Sequence, residues 1–129
     1  MITASLQNYR ITPRKVRLVA DMIRGKSVAD AKTILSHITK KARHPLHDLL
    51  DSAVANASHN FKIDNTALFV KEIRVDQGYV LKRSIPMARG SAFPMKKRTS
   101  HVTIVLAPAV VKTAKKEVKA KKAAAAKAK

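Results

Sequence analysis

A long stretch without acidic residues, between Asp76 and Glu117, constrains this chain more than any other feature. Its central part is densely cationic, and like charges at this density repel one another. Such a segment cannot be buried in a packed core, so water or a polyanion must face it. The six cations of this stretch are Lys82, Arg83, Arg89, Lys96, Lys97 and Arg98.

Two β-prone runs flank the cationic stretch, Leu68–Asp76 before it and His101–Leu106 after it. Pro86, Gly90 and Pro94 interrupt the stretch itself, and such residues are typical of turns and loops. The pattern therefore predicts two strands that carry an extended cationic loop outward from a body. A floppy loop is the alternative interpretation. A glycine that lets backbone approach a ligand closely favours a specific binding role.

Net charge indicates which kind of partner this surface meets. The chain has 129 residues, with 27 Lys and Arg against 8 Asp and Glu, and a formal net charge of +19. Nucleic acid is the commonest polyanion that offsets such a charge. A membrane surface is the alternative, but we find no apolar run long enough to span a bilayer and no signal peptide. We therefore expect no membrane partner.

The aromatic and Cys content limits the ways in which the chain could bind nucleic acid. Aromatic residues make up only 4% of the chain and Trp is absent, so stacking on bases is not predicted to dominate. Phosphate contacts and shape are expected instead. The chain has no Cys, which excludes disulfides and thiolate metal sites and is compatible with an intracellular setting.

A low-complexity segment, residues 107–129, ends the chain with nine Ala, eight Lys and one Glu. It has no apolar stripe wide enough to pack, so alone it is expected to be disordered or a fraying helix. Residues 1–106 hold 19 Lys and Arg against 7 acids, a net charge of +12. They are predicted to form one nucleic-acid-binding domain, with the hairpin spanning about residues 77–100.

Periodicity predicts a strand and a helix at the start of the chain. Apolar and polar residues alternate from Ile2 to Leu6, as in a half-buried strand. Thr12 and Pro13 then supply an N-cap and a first helical residue, and Gly25 is placed for a left-handed ending. The apolar face of this helix comprises Val16, Val19, Ala20 and Ile23.

Two more helices follow. Ser27 and Asp30 resemble a capping box, which predicts a second helix with Val28, Ala31, Ile34 and Leu35 facing inward. A third helix is predicted from about residue 40 to residue 60; because of Pro45, it either begins near His44 or is kinked there. Its predicted inner stripe is Ala42, Leu46, Leu49, Leu50, Ala53 and Ala57.

The last two elements are strands. Phe69, Ile73 and Val75 are predicted to share one face, with Lys71 breaking the pattern, and apolar residues alternate again from Val102 to Leu106. The predicted fold class is α+β: three helices packed on a small antiparallel sheet with a long protruding β-hairpin, plus a low-complexity basic C-terminal tail.

A second group of cations lies around the start of helix one, where no acidic residue precedes Asp21. Helix N-termini present unpaired N–H groups and a partial positive charge, so they attract phosphates. A solvated basic face is the alternative, but the overall charge favours nucleic-acid contact. This N-terminal cluster comprises Arg10, Arg14, Lys15 and Arg17.

Metal binding and catalysis find little support. His44 and His47 lie about one helical turn apart, but a metal site needs a third ligand and a supporting shell. Asp48 and Asp51 are typical of a solvated helix face. No nucleophile motif, Gly-rich phosphate loop or paired-carboxylate pattern occurs. We therefore expect no catalytic residue, metal, cofactor or small-molecule substrate.

Four segments, in order and at normal spacing, resemble one known family. They are Ile11–Ser27, Ser52–Ala57, Val70–Asp76 and Lys97–Val105. The first is similar to the opening signature of bacterial-type large-subunit ribosomal protein twenty-two, the second to its long-helix motif, and the last two to its hairpin strands. The match covers residues 3–106.

The resemblance implies a structural constituent of the cytoplasmic large ribosomal subunit. Its implied partners are large-subunit rRNA, neighbouring ribosomal proteins and the nascent polypeptide, and it would support assembly. The body would lie near the outer end of the peptide exit tunnel, with the hairpin tip in the tunnel wall. Together with the basic clusters, the resemblance gives an rRNA-binding set: Arg10, Arg14, Lys15, Arg17, Lys82, Arg83, Arg89, Gly90, Lys96, Lys97, Arg98, Thr99, Ser100 and His101.

The implied tunnel tip departs from the family pattern in places. The family often carries Arg where this chain has Met87 and Ser91, so we expect a less cationic tip, and Phe93-Pro94 is unusual. The tip residues are Ile85, Pro86, Met87, Ala88, Arg89, Gly90, Ser91, Ala92, Phe93, Pro94 and Met95.

Two other functions compete with this interpretation. A DNA-compacting nucleoid protein would use the Ala/Lys tail for most of its binding and would bind duplex DNA as well as rRNA. An enzyme acting on RNA would need a nucleophile, a metal cluster or an acid–base pair, and the sequence offers none of them.

Overall fold

A computed structural model describes residues 2–63 and 67–108, and it confirms the predicted α+β class. The predicted Ala/Lys tail lies outside the described residues from position 109 onward. In chain order the elements are β1 (Ile2–Tyr9), α1 (Pro13–Ile23), α2 (Val28–His37), α3 (Arg43–Phe61), β2 (Leu68–Pro86) and β3 (Ala92–Pro108).

The sheet places β3 in the centre. Its order is β1-β3-β2, and both neighbours run antiparallel to β3. Pairing of β1 with β3 ends where Tyr9 lies opposite Ser100. Pairing of β2 with β3 continues far beyond that point, to Pro86 opposite Ala92. The third strand therefore belongs to the body at one end and to the hairpin at the other.

The core lies between the three helices and one face of the sheet. The predicted apolar face of α1 is buried, as is the whole predicted stripe of α3. In α2, Val28, Ala31 and Leu35 are buried, whereas Ile34 is half-buried. Within the ranges that the structure describes, no helix is long and apolar enough to cross a membrane.

Local signals explain the helix boundaries. Gly25 follows the C-cap residue of α1, Arg24, and has a φ of +72°, where glycine avoids the steric cost of a Cβ. Ser27 Oγ accepts a hydrogen bond from the Asp30 backbone N–H at 3.1 Å, which confirms Ser27 as the N-cap, and the Ser27 hydroxyl donates to Asp30 Oδ2 at 2.8 Å in place of the reciprocal capping-box bond. The third helix begins at Arg43, so Pro45 lies in its first turn, where a missing N–H costs nothing.

One strand prediction was wrong. Phe69 was expected to share a face with Ile73 and Val75, but Leu68 and Val70 are buried with them instead. The register shifts between Val70 and Glu72, which inserts one extra residue into β2. Because side chains alternate along a strand, one extra residue exchanges the two faces.

The cationic stretch is not a loop. The predicted long protruding hairpin is confirmed, and its two strands stay paired to Pro86 and Ala92, so only the expectation of an extended loop between the flanking strands is corrected, to a two-stranded ribbon. We call residues 78–86 and 92–99 the ribbon; they lie beyond the last pair of β1 with β3. The eight steps from Ser100 to Ala92 give a reach of about 25 Å at roughly 3.3 Å per residue. Prolines are tolerated here because each strand of a ribbon has one open edge.

Candidate nucleic-acid interface

The ribbon displays cations on both of its strands. Lys82, Lys96, Lys97 and Arg98 are exposed, and no acidic residue occurs between positions 77 and 108. Lys82 lies directly opposite Lys96 across the two strands. Like charges directly opposite each other destabilise a ribbon, so this pair disfavours the free protein. A polyanion between or beside the two ammonium groups would reverse the effect.

Within the part of the chain that the structure describes, the acidic residues that pair with cations all lie in the body. Among the described residues, no ribbon cation lies within 4.0 Å of a carboxylate. The ribbon charge is therefore available to an external partner. The pairs in the body are Arg24–Asp21 at 2.8 Å, Lys32–Asp51 at 2.6 Å, His47–Asp51 at 3.2 Å and Arg74–Glu72 at 2.6 Å.

The tip is a short turn with an apolar surface. Arg89 and Gly90 have φ angles of +57° and +73°, so two successive residues are left-handed. The Met87 backbone N–H donates to Ser91 O at 2.8 Å and closes the turn. Met87 and Phe93 are 58% and 60% exposed. The tip thus presents one cation between exposed apolar side chains.

Helix α1 brings the N-terminal cluster to the base of the ribbon. Arg17 donates to Val75 O and Arg24 to Ile73 O, so α1 runs antiparallel to β2 with its N-terminus toward the ribbon. Arg10 follows Tyr9, which pairs with Ser100 at that base. All four members of the cluster are exposed, so the two predicted cationic groups lie at the same end of the molecule.

Arg17 has a structural contact that the sequence did not reveal. Its Nε and Nη2 lie 3.1 and 2.9 Å from Val75 O, on the edge of β2 that faces away from β3. Nearby, Gly25 and Lys26 exchange backbone hydrogen bonds with Val70. Together these groups cover an edge strand that would otherwise have unpaired carbonyls. Arg17 therefore holds α1 on the sheet besides contributing charge.

Three predicted rRNA-binding residues lie at the base of the ribbon. Thr99 and Ser100 are buried, with exposed fractions of 1% and 0%, so their side chains do not face solvent. His101 is half-buried, and its Nδ1 accepts a hydrogen bond from Asn8 N–H at 3.1 Å. In this structure these residues organise the strand that carries Arg98 and Lys97.

The histidines of α3 have separate partners. Arg43 Nε donates to His44 Nε2 at 3.0 Å, whereas His47 Nδ1 lies next to Asp51. Arg43 Nη1 also donates to Ser36 O and so contacts the end of α2. Among residues 2–63 and 67–108, no three His, Asp or Glu side chains form a group that could hold a metal.

Three groups in the body have shifted pKa values. The hydrogen bond from Arg74 lowers the pKa of Glu72, and the same bond raises the pKa of the Arg74 guanidinium. Burial raises the pKa of Tyr9, whose hydroxyl lies 3.3 Å from Lys41 O. None of these groups lies on the ribbon, so its charge does not depend on them.

Comparison with known proteins identifies the family. The family model of ribosomal protein L22p/L17e matches residues 4–107, most of the chain. This chain belongs to the ribosomal protein L22p/L17e family. As a member, it is a structural, non-enzymatic constituent of the large subunit of the cytoplasmic ribosome, and it binds rRNA and other ribosomal proteins. This membership favours the ribosomal interpretation over DNA compaction and over an RNA-modifying enzyme.

Relatives of the L22p/L17e family match closely and over most of their length. Large ribosomal subunit protein uL22 of Desulfitobacterium hafniense strain Y51 is 56% identical over 97 residues, 75% of this chain and 85% of its own. The protein of that name from Deinococcus radiodurans is 57% identical over 98 residues, 76% and 73%. The one from Lactobacillus delbrueckii subsp. bulgaricus is 50% identical over 103 residues, 80% and 88%.

Proposed function

We propose that the ribbon and the N-terminal cluster are the rRNA-binding surface of this protein, and that the ribbon tip lines the nascent-peptide exit tunnel. This proposal rests on the row of exposed ribbon cations, which have no acidic partner within 4.0 Å among the described residues and in which Lys82 lies opposite Lys96. That arrangement is unfavourable in water and becomes favourable when phosphates face it.

The mechanism of rRNA binding is charge neutralisation combined with shape. Each Lys or Arg that contacts a phosphate releases counterions, so affinity falls as salt rises. A-form RNA exposes phosphates and a shallow minor groove, which a narrow two-stranded ribbon can follow through backbone contacts. The scarcity of aromatic residues, 4% of the chain, fits this mode rather than base stacking.

The tip has a different chemistry from the rest of the ribbon. Between Ile85 and Met95 the only cation is Arg89, and Met87 and Phe93 are more than half exposed. Apolar side chains held about 25 Å from the body suit contact with a passing polypeptide better than contact with phosphate. We assign the tip to the tunnel wall and to contact with the nascent chain.

The division of the chain follows from the same argument. Residues 1–106 act as one rRNA-binding domain, whose hairpin spans about residues 77–100. Residues 107–129 are a basic tail, and from residue 108 onward it lies beyond the family match, which ends at residue 107.

The rRNA-binding role is tested by removing charge from the ribbon. Lys82, Lys97 and Arg98 are changed together to Gln, and the control changes three exposed body lysines, Lys26, Lys40 and Lys62, to Gln. Lysates are sedimented through sucrose at high salt, and each fraction is blotted for the protein. We expect the ribbon variant to leave the large-subunit fractions and the control to remain. Retention of the ribbon variant, or equal release of both, would reject the assignment.

The tunnel role is tested by cross-linking. A photoreactive residue replaces Phe93 at the tip or, as control, Ala29 on the exposed side of α2. In translating ribosomes we expect nascent chains to cross-link from position 93 and not from position 29. Cross-links from position 93 to rRNA alone would refute contact with the nascent chain.

A further inference from the structure

Two β-bulges meet on the same short stretch of β3. The β1 register shifts between Leu6 and Tyr9, opposite the step from Val102 to Ser100. The β2 register shifts between Gln77 and Val80, opposite the step from Ser100 to Arg98. Each neighbour of β3 therefore carries one extra residue at the level where the body ends and the ribbon begins. Bulges bend a strand and increase its twist, so this level sets where the ribbon points.

A β3 side chain holds each bulge. Opposite the β1 bulge, His101 Nδ1 accepts a hydrogen bond from Asn8 N–H at 3.1 Å. Asn8 has a φ of +58°, in the left-handed region, which Asn tolerates better than most residues do. Opposite the β2 bulge, Thr99 Oγ1 donates to Tyr79 O at 2.8 Å.

Gly78 fits between these two side chains because it has no Cβ. A Cβ at position 78 would lie 2.5 Å from Thr99 Oγ1 and 2.9 Å from His101 Nε2. Both neighbours are constrained, since Thr99 is 1% exposed and bonded to Tyr79 O, and His101 is bonded to Asn8. Neither can move aside without breaking a contact that holds a bulge. The requirement for glycine is steric here, because Gly78 is not among the glycines with a positive φ.

We propose that Gly78, Thr99 and His101 form a joint that fixes the direction of the ribbon relative to the body. In this joint Gly78 is the positioning residue, because its missing side chain lets Thr99 and His101 reach the two bulges. The consequence for the tunnel rests on the proposed function, whereas the joint itself is a property of the free protein.

The joint is tested by measuring the distance between body and ribbon. The chain has no Cys, so Ala29→Cys on α2 and Ser84→Cys on the ribbon give two unique sites for spin labels in the full-length protein. Ser84 lies about 20 Å beyond the joint, so a 10° change in direction moves it by roughly 3–4 Å. Pulsed electron spin resonance resolves such a change.

We expect G78A to shift or broaden the distance distribution by about that amount. T99V, which replaces the hydroxyl with a methyl group and so removes the hydrogen bond to Tyr79 O, should do the same to a smaller extent. T103V is the control for T99V: it makes the same exchange on the same strand, and no hydrogen bond of the Thr103 side chain is found within the described residues. It should leave the distribution unchanged. In a T99A background the effect of G78A should shrink, because the hydroxyl nearest the new Cβ is gone.

Circular dichroism reports whether each variant keeps a folded body. A folded G78A with the parent distribution would overturn the proposal. If G78A fails to fold, the T99V variant alone tests the proposal, and an unchanged distance distribution in T99V would then overturn the proposal.

A second experiment tests the joint and the tunnel role independently. Large subunits carrying G78A are tested for nascent-chain cross-linking from position 93. If the labels report a changed direction and cross-linking falls while the protein stays in the subunit, both proposals are supported. If the direction changes in the free protein but cross-linking persists, the joint stands and the tip still contacts the nascent chain, so rRNA sets the position of the tip in the subunit. If position 93 does not cross-link to nascent chains even in the parent protein, the tunnel role is rejected while the joint stands.

Discussion

Lys82 and Lys96 show how a single residue can be unfavourable for the fold and favourable for binding. Their side chains face each other across the ribbon, and neither has an acidic neighbour within 4.0 Å among the described residues. In the free protein the two charges repel, by roughly 0.2–1 kcal/mol for a directly opposite pair. On rRNA the same two charges can share phosphates. The two states therefore respond to substitution in opposite directions.

We predict that Lys96→Glu stabilises the free ribbon and weakens rRNA binding. Hydrogen exchange of ribbon amides in the free protein should slow by up to about fivefold, which corresponds to ~1 kcal/mol. The slope of log affinity against log salt should become shallower by roughly 0.7–0.9 for each phosphate that the protein no longer neutralises. Lys96→Gln is the control and should fall between Glu and the parent in both measurements. An rRNA affinity equal to that of the parent would contradict the prediction.

Arg14 and Arg17 belong to the same basic cluster but differ in contacts. Arg17 donates two hydrogen bonds to Val75 O, whereas no hydrogen bond or ion pair of the Arg14 side chain is found within the described residues. We predict that Arg17→Ala lowers the free energy of unfolding by about 1–2 kcal/mol. Arg14→Ala should change it by less than about 0.5 kcal/mol. Both should weaken binding to an rRNA fragment.

Chemical denaturation of the free protein measures the first effect, and a filter-binding titration measures the second. Arg17→Lys separates charge from geometry, because Lys keeps the charge but not the planar donor pair. It should bind rRNA nearly as well as the parent while remaining less stable. Equal stability of the Arg17→Ala and Arg14→Ala variants would count against the contact with Val75.

At the scale of elements, the strongest local signals predicted the structure well. The N-cap at Ser27, the glycine that follows Arg24 at the end of α1 and the apolar stripe of α3 all lie at the expected boundaries and faces. These signals depend on residues close together in the chain. The bulge after Val70 was missed because an extra residue in one strand is decided by its pairing with another.

The ribbon could be predicted only in part. Its flanking strands followed from alternation, but the cationic stretch has no alternating apolar pattern and contains Pro86 and Pro94. Its strand conformation comes from pairing with the opposite strand, which a local pattern does not record. The burial of Thr99 and Ser100 was missed for the same reason, since the two bulges that enclose them are tertiary features.

We predict that the tip is dispensable for folding of the body. Replacing residues 84–94 with Asn-Gly, a favoured hairpin turn, would leave Arg83 opposite Met95. No buried core residue lies within the replaced segment, so the free energy of unfolding should change by less than about 0.5 kcal/mol. The shortened protein should still enter large subunits, which gradient sedimentation measures, and should no longer touch nascent chains. Exclusion from subunits would show that assembly requires the tip.

At the scale of the whole molecule, charge dominates behaviour. The net charge of +19 opposes compaction, and the described acidic pairs are concentrated on the body. The existence of a polyanionic partner could be predicted from composition alone. The arrangement of the basic surface could not be predicted from composition. It depends on the packing of α1 against β2, with the N-terminus of α1 toward the ribbon.

We predict that salt acts in opposite directions on stability and on binding. The midpoint of thermal unfolding of the free protein should rise between low salt and about 0.5 M NaCl, because screening weakens the repulsion. Affinity for an rRNA fragment should fall steeply over the same range. Sodium sulfate at matched ionic strength controls for anion-specific effects. A midpoint that does not change with salt would mean that repulsion does not limit the free protein.

The ribbon's two open strand edges have a further consequence, for the period between synthesis and assembly. A long, two-stranded ribbon offers unpaired N–H and C=O groups to other chains, which is a route to aggregation. Lysines and prolines along an edge are the means by which proteins prevent such pairing, and this ribbon carries both. The cations that we propose to contact rRNA would thus also keep newly made copies apart until rRNA binds them. Neutralising the ribbon would therefore produce insoluble protein as well as weak binding.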